Sequence, residues 1–253
     1  MFFFFKRFYR LYAVLLVSLL CACDPTEPEV RQLVENTIRV HGQADYKGGV
    51  ISFRSGEVLY RVLRHHDAFV YSRTFQDANG QRVHDVVQNS GFSRTINEQE
   101  EKLSPELNIE LAAAVSREIF LALLPYNLNN PSVQQKYEGN FELKGQEYHK
   151  VRFTLPAQRE IAGEKLELIG WFHKQQHTLD YVGFRPEKDG AVQFWEAKNP
   201  RKIGGIRFQD YTAYSTTDRI SIERLDQAFD LGRLQQQSEI ALTEIKTNSL
   251  PNP

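Results

Sequence analysis

The sequence predicts a mainly β fold of the α+β class: a curved, half-open antiparallel β-barrel of about ten strands, with an N-terminal helix and an inserted apolar helix. Three observations predict it. Alternation with a period of two runs from Gly48 almost to the C-terminus, punctuated by Gly145, Gly163, Asp189-Gly190 and Gly204-Gly205. Two stretches, 30–41 and 104–124, break into helical periodicity instead. Several strands are apolar on both faces: Leu168 and Phe172 alternate with Ile169 and Trp171, so both faces need cover. Sequential antiparallel strands in this number must also hide their edges, by curling or by stacking.

Taken in order, residues 1–22 stand apart from the fold. Lys6, Arg7 and Arg10 precede a ten-residue apolar run, Leu11 to Leu20. At ~1.5 Å per residue that run covers ~15 Å, about half the ~30 Å core of a bilayer, so it reads as a signal peptide and not as a membrane span. Leu20-Cys21-Ala22-Cys23 resembles the lipobox of bacterial lipoproteins. That resemblance implies cleavage between Ala22 and Cys23 and lipidation of Cys23, with Asp24 beside it. The expected division is 1–22 signal peptide, 23–29 lipidated tether, 30–246 a single β domain and 247–253 a C-terminal tail.

Val30, Leu33, Val34, Thr37, Ile38 and His41 form one helical stripe, and Gly42 supplies the stop. Strands follow at Val50–Phe53, Val58–Val62 and Ala68–Ser72. Asn79-Gly80 marks a hairpin between Tyr71–Phe75 and Val83–Val87, and Gly91–Ile96 adds another strand. Ser104-Pro105 opens the second helix with a hydroxyl cap and a proline in the first turn; Pro125 stops it near Leu124. Its faces are so apolar that cover on most sides is expected. Strands resume at Tyr137–Leu143, Tyr148–Leu155, Lys165–Lys174, Thr178–Arg185, Val192–Ala197 and Ile206–Tyr214. A short strand is expected at Arg219–Glu223, a turn or short helix at Leu225–Gly232, and a last strand at Ile240–Lys246.

Composition excludes several functions. The 253 residues carry 31 basic and 32 acidic side chains, a formal charge of −1, without the basic surplus of a nucleic-acid binder. Without residues 1–22, which hold three of the basic residues and no acidic one, 231 residues remain with a charge of −4 and Cys23 as the one cysteine. Thiol catalysis is thereby excluded from the mature domain. His65-His66, His84, His173 and His177 invite a zinc site, but His173 and His177 flank a turn and not a helix, so exposed strand histidines and no metal are expected. There is no Gly-x-Ser-x-Gly elbow and no phosphate loop. No catalytic residue and no cofactor is assigned.

The order helix, strands, inserted helix, strands, behind a lipobox, resembles the LolA/LolB-like fold (that of outer-membrane lipoprotein carriers). The resemblance is to an uncharacterised family of bacterial lipoproteins with that fold. It rests on Val40-His41-Gly42, Asn89-Ser90-Gly91-Phe92-Ser93-Arg94-Thr95-Ile96-Asn97, Leu124-Pro125-Tyr126-Asn127-Leu128-Asn129-Asn130-Pro131 and Gly204-Gly205-Ile206-Arg207-Phe208-Gln209-Asp210-Tyr211. It implies an unclosed barrel with a helical lid over an apolar cavity, and brings no catalytic residues.

The resulting expectation is a bacterial lipoprotein held by its lipid to the inner or outer membrane. Its domain faces the periplasm or the exterior and binds a hydrophobic or amphipathic ligand such as a lipid or acyl chain. Candidate cavity residues are Leu111, Val115, Ile119, Trp171, Tyr181 and Trp195. Arg94 and Arg207, with Arg201, are candidates for a headgroup or partner contact. A filled-core module for envelope assembly is the alternative, and an envelope enzyme a third. No nucleic-acid partner is expected, and the sequence specifies no protein partner.

Overall fold

A computed structural model of the protein describes residues 27–42, 48–65, 68–158, 163, 165–185 and 192–249. The signal peptide, Ala22, Cys23, the start of the tether, His66 and the end of the tail lie outside these.

Helix α1 (Glu27–Val40) buries the stripe read from the sequence: Val30, Val34, Thr37, Ile38 and His41 are all sealed from solvent. One sheet then forms from β1 (Gly48–Ser55), β2 (Val58–His65), β3 (Ala68–Gln76), β4 (Arg82–Gln88), β5 (Gly91–Ile96) and the two-residue β6 (Gln99–Glu100), each antiparallel to the last. Helix α2 (Pro105–Ala122) follows, its first turn capped by Ser104, whose Oγ accepts from the Leu107 amide at 3.2 Å. The second sheet runs through β7 (Gln134–Leu143), β8 (Gln146–Leu155), β9 (Leu166–His173), β10 (Leu179–Arg185), β11 (Gln193–Ile203) and β12 (Ile206–Ser215). A 3-10 turn (Ile222–Arg224) and α3 (Leu225–Asp230) lead to β13 (Gln235–Ile240) and β14 (Leu242–Ser249).

These last two strands join the sheets. β13 pairs with β12 at the edge of the second sheet, and β14 pairs with β1 at the edge of the first, with only Ala241 between them. Two seven-stranded antiparallel sheets therefore meet at one seam. Their other edges, β6 and β7, are unpaired with each other, and α2 lies between them in sequence. This is the half-open architecture expected, with fourteen strands among the described residues instead of about ten. The extra strands carry no apolar alternation: β6 is too short, and Gln-Gln-Gln-Ser-Glu-Ile of β13 is almost wholly exposed and held by pairing alone. Arg219–Glu223 is not a strand; its end forms the 3-10 turn that leads into α3. The hairpin at Asn79-Gly80 is a five-residue loop, because Asp77 Oδ1 accepts from the amides of Asn79 (2.9 Å) and Gln81 (2.8 Å) and gathers the chain earlier.

The second sheet is covered on both faces. Its inner face packs Val151, Phe153, Leu166, Leu168, Phe172, Val182 and Phe184 against α1 and the C-terminal end of α2. Its outer face packs Ile169, Trp171, Tyr181 and Phe194 against Ile222, Leu225 and Ala228. Gly183 makes that second contact possible, since a Cβ there would lie 2.9 Å from Leu225 Cδ1 and 3.1 Å from the Trp171 ring. A buried ion pair pins it: Lys150 Nζ meets Asp226 Oδ2 at 2.6 Å, and the same oxygen accepts from the Trp171 indole at 3.0 Å. Asp226→Ala would leave the Lys150 charge buried without its carboxylate, so it is expected to cost about 3–5 kcal/mol, read as a lowered urea midpoint with unchanged slope.

The C-terminal end of α1 is fastened to the β11–β12 hairpin. The Arg207 amide donates to the His41 carbonyl at 2.7 Å, and the Leu179 amide donates to His41 Nε2 at 3.3 Å. Gly42 has φ +72°, and a Cβ there would fall 1.9 Å from the Gly205 carbonyl oxygen. Gly42→Ala is therefore expected to cost more than the ~1–2 kcal/mol of the left-handed conformation alone. Burial, followed by the charges of Arg207 and Lys202, pushes the His41 pKa down to about 3. A histidine depressed in the folded state favours folding fully above its unfolded pKa of ~6.5 and loses that contribution as the pH falls toward 3. Stability measured by urea titration is expected to decline from pH 6.5 downward with a slope that His41→Gln flattens.

Candidate functional site

The inner face of the first sheet is a row of alternating side chains: Ile51 and Phe53 from β1, Tyr60 and Val62 from β2, Phe69 and Tyr71 from β3, Val87 from β4. Helix α2 settles on this row through Ala112, Val115 and Ile119, and Ile206, Phe208 and Leu242 complete the same cluster from β12 and β14. Val115 is 0% and Ile119 2% exposed, so the middle of the helix is fully packed. Toward its two ends, however, α2 leaves hollows.

At the C-terminal end lies a cavity of about 440 Å³ between the two sheets. Its walls are Phe53 and Tyr60 from the first sheet and Phe184, Trp195 and Tyr211 from the second, while Leu121 and Ala122 form its roof. The walls interlock. Phe53 and Tyr60 stack at 5.3 Å, Phe184 meets Trp195 edge-on at 5.1 Å, and Trp195 leans on Tyr211 at 5.3 Å. Arg117 and Glu118, four residues before the roof and thus one helical turn back, stand with Ser55 and Gln193 where the lining is more exposed. The Tyr60 hydroxyl donates to Glu118 Oε2 at 2.8 Å; burial, then the neighbouring carboxylate, drive the Tyr60 pKa up. Tyr211 is held by the Gln209 amide at 2.7 Å, and burial pushes its pKa to about 12. Both phenols therefore stay neutral at physiological pH. The cavity offers aromatic and aliphatic wall to an apolar group, and its rim offers a guanidinium, a carboxylate, a hydroxyl and an amide.

A second hollow opens at the N-terminal end of α2, lined by Phe69, Phe92, Pro105, Ile109, Ala112 and Ala113 among others. Here the helix is less covered than its composition predicts: Leu107 is 39% and Ile109 67% exposed. The strands that α2 packs on are β3, β4 and β5.

The structure separates the six candidate cavity residues. Trp195 lines the cavity. Val115 and Ile119 form the packed middle of α2, between the two hollows, and Leu111 is partly buried one turn before Val115. Trp171 and Tyr181 lie on the outer face of the second sheet, under α3, because they share a face with Ile169 and not with Leu168. Of the arginines, Arg94 is spent on Asp85, whose oxygens it meets at 2.6 and 2.8 Å beside Arg73. Arg201 pairs with Asp210 at 2.9 Å, and Arg207 sits against the end of α1. The cavity's own cation is Arg117, which the sequence reading passes over. Its only signal is its place one turn before Leu121 on the inserted helix.

Among the described residues no group of three or more His, Cys, Asp or Glu is placed to hold a metal ion. His173 is buried and not exposed, because its Nδ1 accepts from the amides of Gln175 and Gln176 and closes the turn. No described helix is long and apolar enough to cross a membrane.

The model of a family of unknown function, DUF6503, matches residues 9–241. The chain belongs to this family. Among curated proteins none matches this chain. In fold, this DUF6503 chain is similar to a LolA superfamily protein, NE2245, from Nitrosomonas europaea (10% identity, TM-score 0.48, covering 88% of this chain and 94% of that one). It is also similar to a putative outer membrane lipoprotein-sorting protein domain from Vibrio parahaemolyticus (10% identity, TM-score 0.40, 85% and 93%). The lipoprotein LppX from Mycobacterium tuberculosis is a further similar structure (12% identity, TM-score 0.29, 64% and 90%).

The hollow under the C-terminal turn of α2 has room for a larger side chain, so filling it should be tolerated. Ala122→Phe is expected to leave the thermal midpoint within about 1–2 °C or raise it, whereas Val115→Phe, in the packed middle, is expected to lower stability by about 1–3 kcal/mol. Differential scanning fluorimetry of the two variants checks this.

Proposed function

We propose that this protein is a membrane-anchored lipoprotein of the bacterial envelope. In this reading Cys23 carries the anchor, and the domain binds a hydrophobic or amphipathic ligand in the cavity beneath α2, acting by binding and not by catalysis. The observation that carries it is the 440 Å³ hollow between the two sheets, walled by Phe53, Tyr60, Phe184, Trp195 and Tyr211. Its volume lies within the ~300–1,000 Å³ of small-molecule sites, and an apolar wall with a few polar groups at the rim is the usual composition of such sites. Neutral phenols and an uncharged indole make the interior a favourable place for methylene groups, at ~0.8 kcal/mol for each one buried.

A lipidated Cys23 places the domain at a membrane surface, where apolar ligands are concentrated. Envelope localisation follows from the signal peptide and lipobox together, and the choice of inner or outer membrane is left to fractionation. The alternative, a docking module with no ligand, draws on one feature: the exposed Leu107 and Ile109 on the first turns of α2.

The full-length protein, purified from membranes and exchanged into a lipid-free detergent, is to be extracted and its organic phase examined by mass spectrometry. A co-purifying acyl-bearing molecule in near-stoichiometric amount, lost in Ala122→Trp, is the expected result. An empty protein that also takes up no added fatty acid overturns the reading.

A further inference from the structure

Resting on the cavity-binding reading above, we infer that the ligand is a single-chain amphipath, a fatty acid or a lysolipid, and that Val115 and Ile119 are the residues that exclude a second chain. The two hollows beneath α2 share no lining residue. Val115 and Ile119 belong to one packed cluster with Phe53 and Tyr60 at the C-terminal cavity and with Phe69 and Ala112 at the N-terminal hollow. Along α2 they stand between the residues that line the two spaces, at 0% and 2% exposure.

The walls of the C-terminal space are interlocked aromatic rings. Phe53 against Tyr60 and Trp195 against Phe184 and Tyr211 are rings in mutual contact, and widening the cavity breaks those contacts. About 440 Å³, at the ~30 Å³ that one water-sized group occupies in a liquid, holds roughly fifteen non-hydrogen atoms. That is the body of one acyl chain; a diacyl lipid brings two.

The rim sets the direction of entry. Arg117 and Glu118 lie one turn from Leu121 and Ala122, and Ser55 and Gln193 line the same space where it is more exposed. A carboxylate, or the glycerol and phosphate of a lysolipid, finds donors there while the chain lies against the aromatic walls. The Tyr60 hydroxyl donates to Glu118 Oε2 at 2.8 Å and ties that carboxylate to the aromatic wall.

The experiment is native mass spectrometry of the full chain in detergent with palmitic acid, lysophosphatidylethanolamine or dipalmitoyl phosphatidylethanolamine at equal concentrations. One molecule of either single-chain lipid per protein is expected, with the diacyl lipid bound at least tenfold more weakly. Ile119→Ala, which opens the wall, is expected to shrink that preference to less than threefold; Val115→Ala is the second variant should the first fail to fold. Equal or tighter binding of the diacyl lipid by the unaltered protein overturns the single-chain inference while leaving a lipid-binding function in place. An unchanged preference in folded wall variants overturns the role of Val115 and Ile119. Binding of none of the three lipids overturns both this inference and the reading beneath it.

Discussion

The middle of α2 is the contact on which the rest of the interior depends. Two seven-stranded sheets joined at Ala241 leave a wide trough, and the chain that leaves β6 has to fill it before it can begin β7. Val115 and Ile119 do so by lying on the rings and branched side chains of the first sheet, while Phe120, Leu121 and Leu124 reach the second. A helix packed this tightly at its centre and across two curved sheets cannot fill both ends of the trough. The hollows at its two ends follow from that geometry, and one of them is the candidate site.

The remaining interactions hold the trough in shape. α1 covers the inner face of the second sheet, and its end is pinned by His41 and Gly42 to the β11–β12 hairpin. The Lys150–Asp226–Trp171 group fixes α3 to the outer face. Asp85, wholly buried between Arg73 and Arg94, locks β3, β4 and β5 where α2 crosses them. Each of these pairs has a carboxylate with no solvent exposure and a cation to match it, which is the condition for a buried charge to be tolerated.

Much of this was legible in the sequence, because alternation and helical stripes report burial directly. The stripe from Val30 to His41, the Ser104-Pro105 start of α2 and the short helix after Leu225 all carry their own local signals. The polar β13 and the five-residue loop at Asp77 do not: one exists through pairing to β12 and the other through a side-chain cap. The site was less legible than the fold. Trp171 and Trp195 look alike in an apolar strand, yet one faces α3 and the other the cavity, a difference set by strand register that no local pattern records. Arg94 and Arg201 looked available and are bound to Asp85 and Asp210; Arg117, surrounded by helix formers, carried no mark. Motifs such as His41-Gly42 and Gly204-Gly205-Ile206-Arg207 proved to be two halves of one structural junction.

The two tryptophans offer the most direct measurement. Trp195 lines the cavity and Trp171 is sealed on the opposite face of the second sheet, so a quencher carried on an acyl chain distinguishes them. Titrating the full-length protein with a fatty acid brominated along its chain should remove the Trp195 part of the emission in a saturable, one-to-one manner and leave the Trp171 part. An emission spectrum that does not change, while the same protein is shown to be folded, would contradict the account.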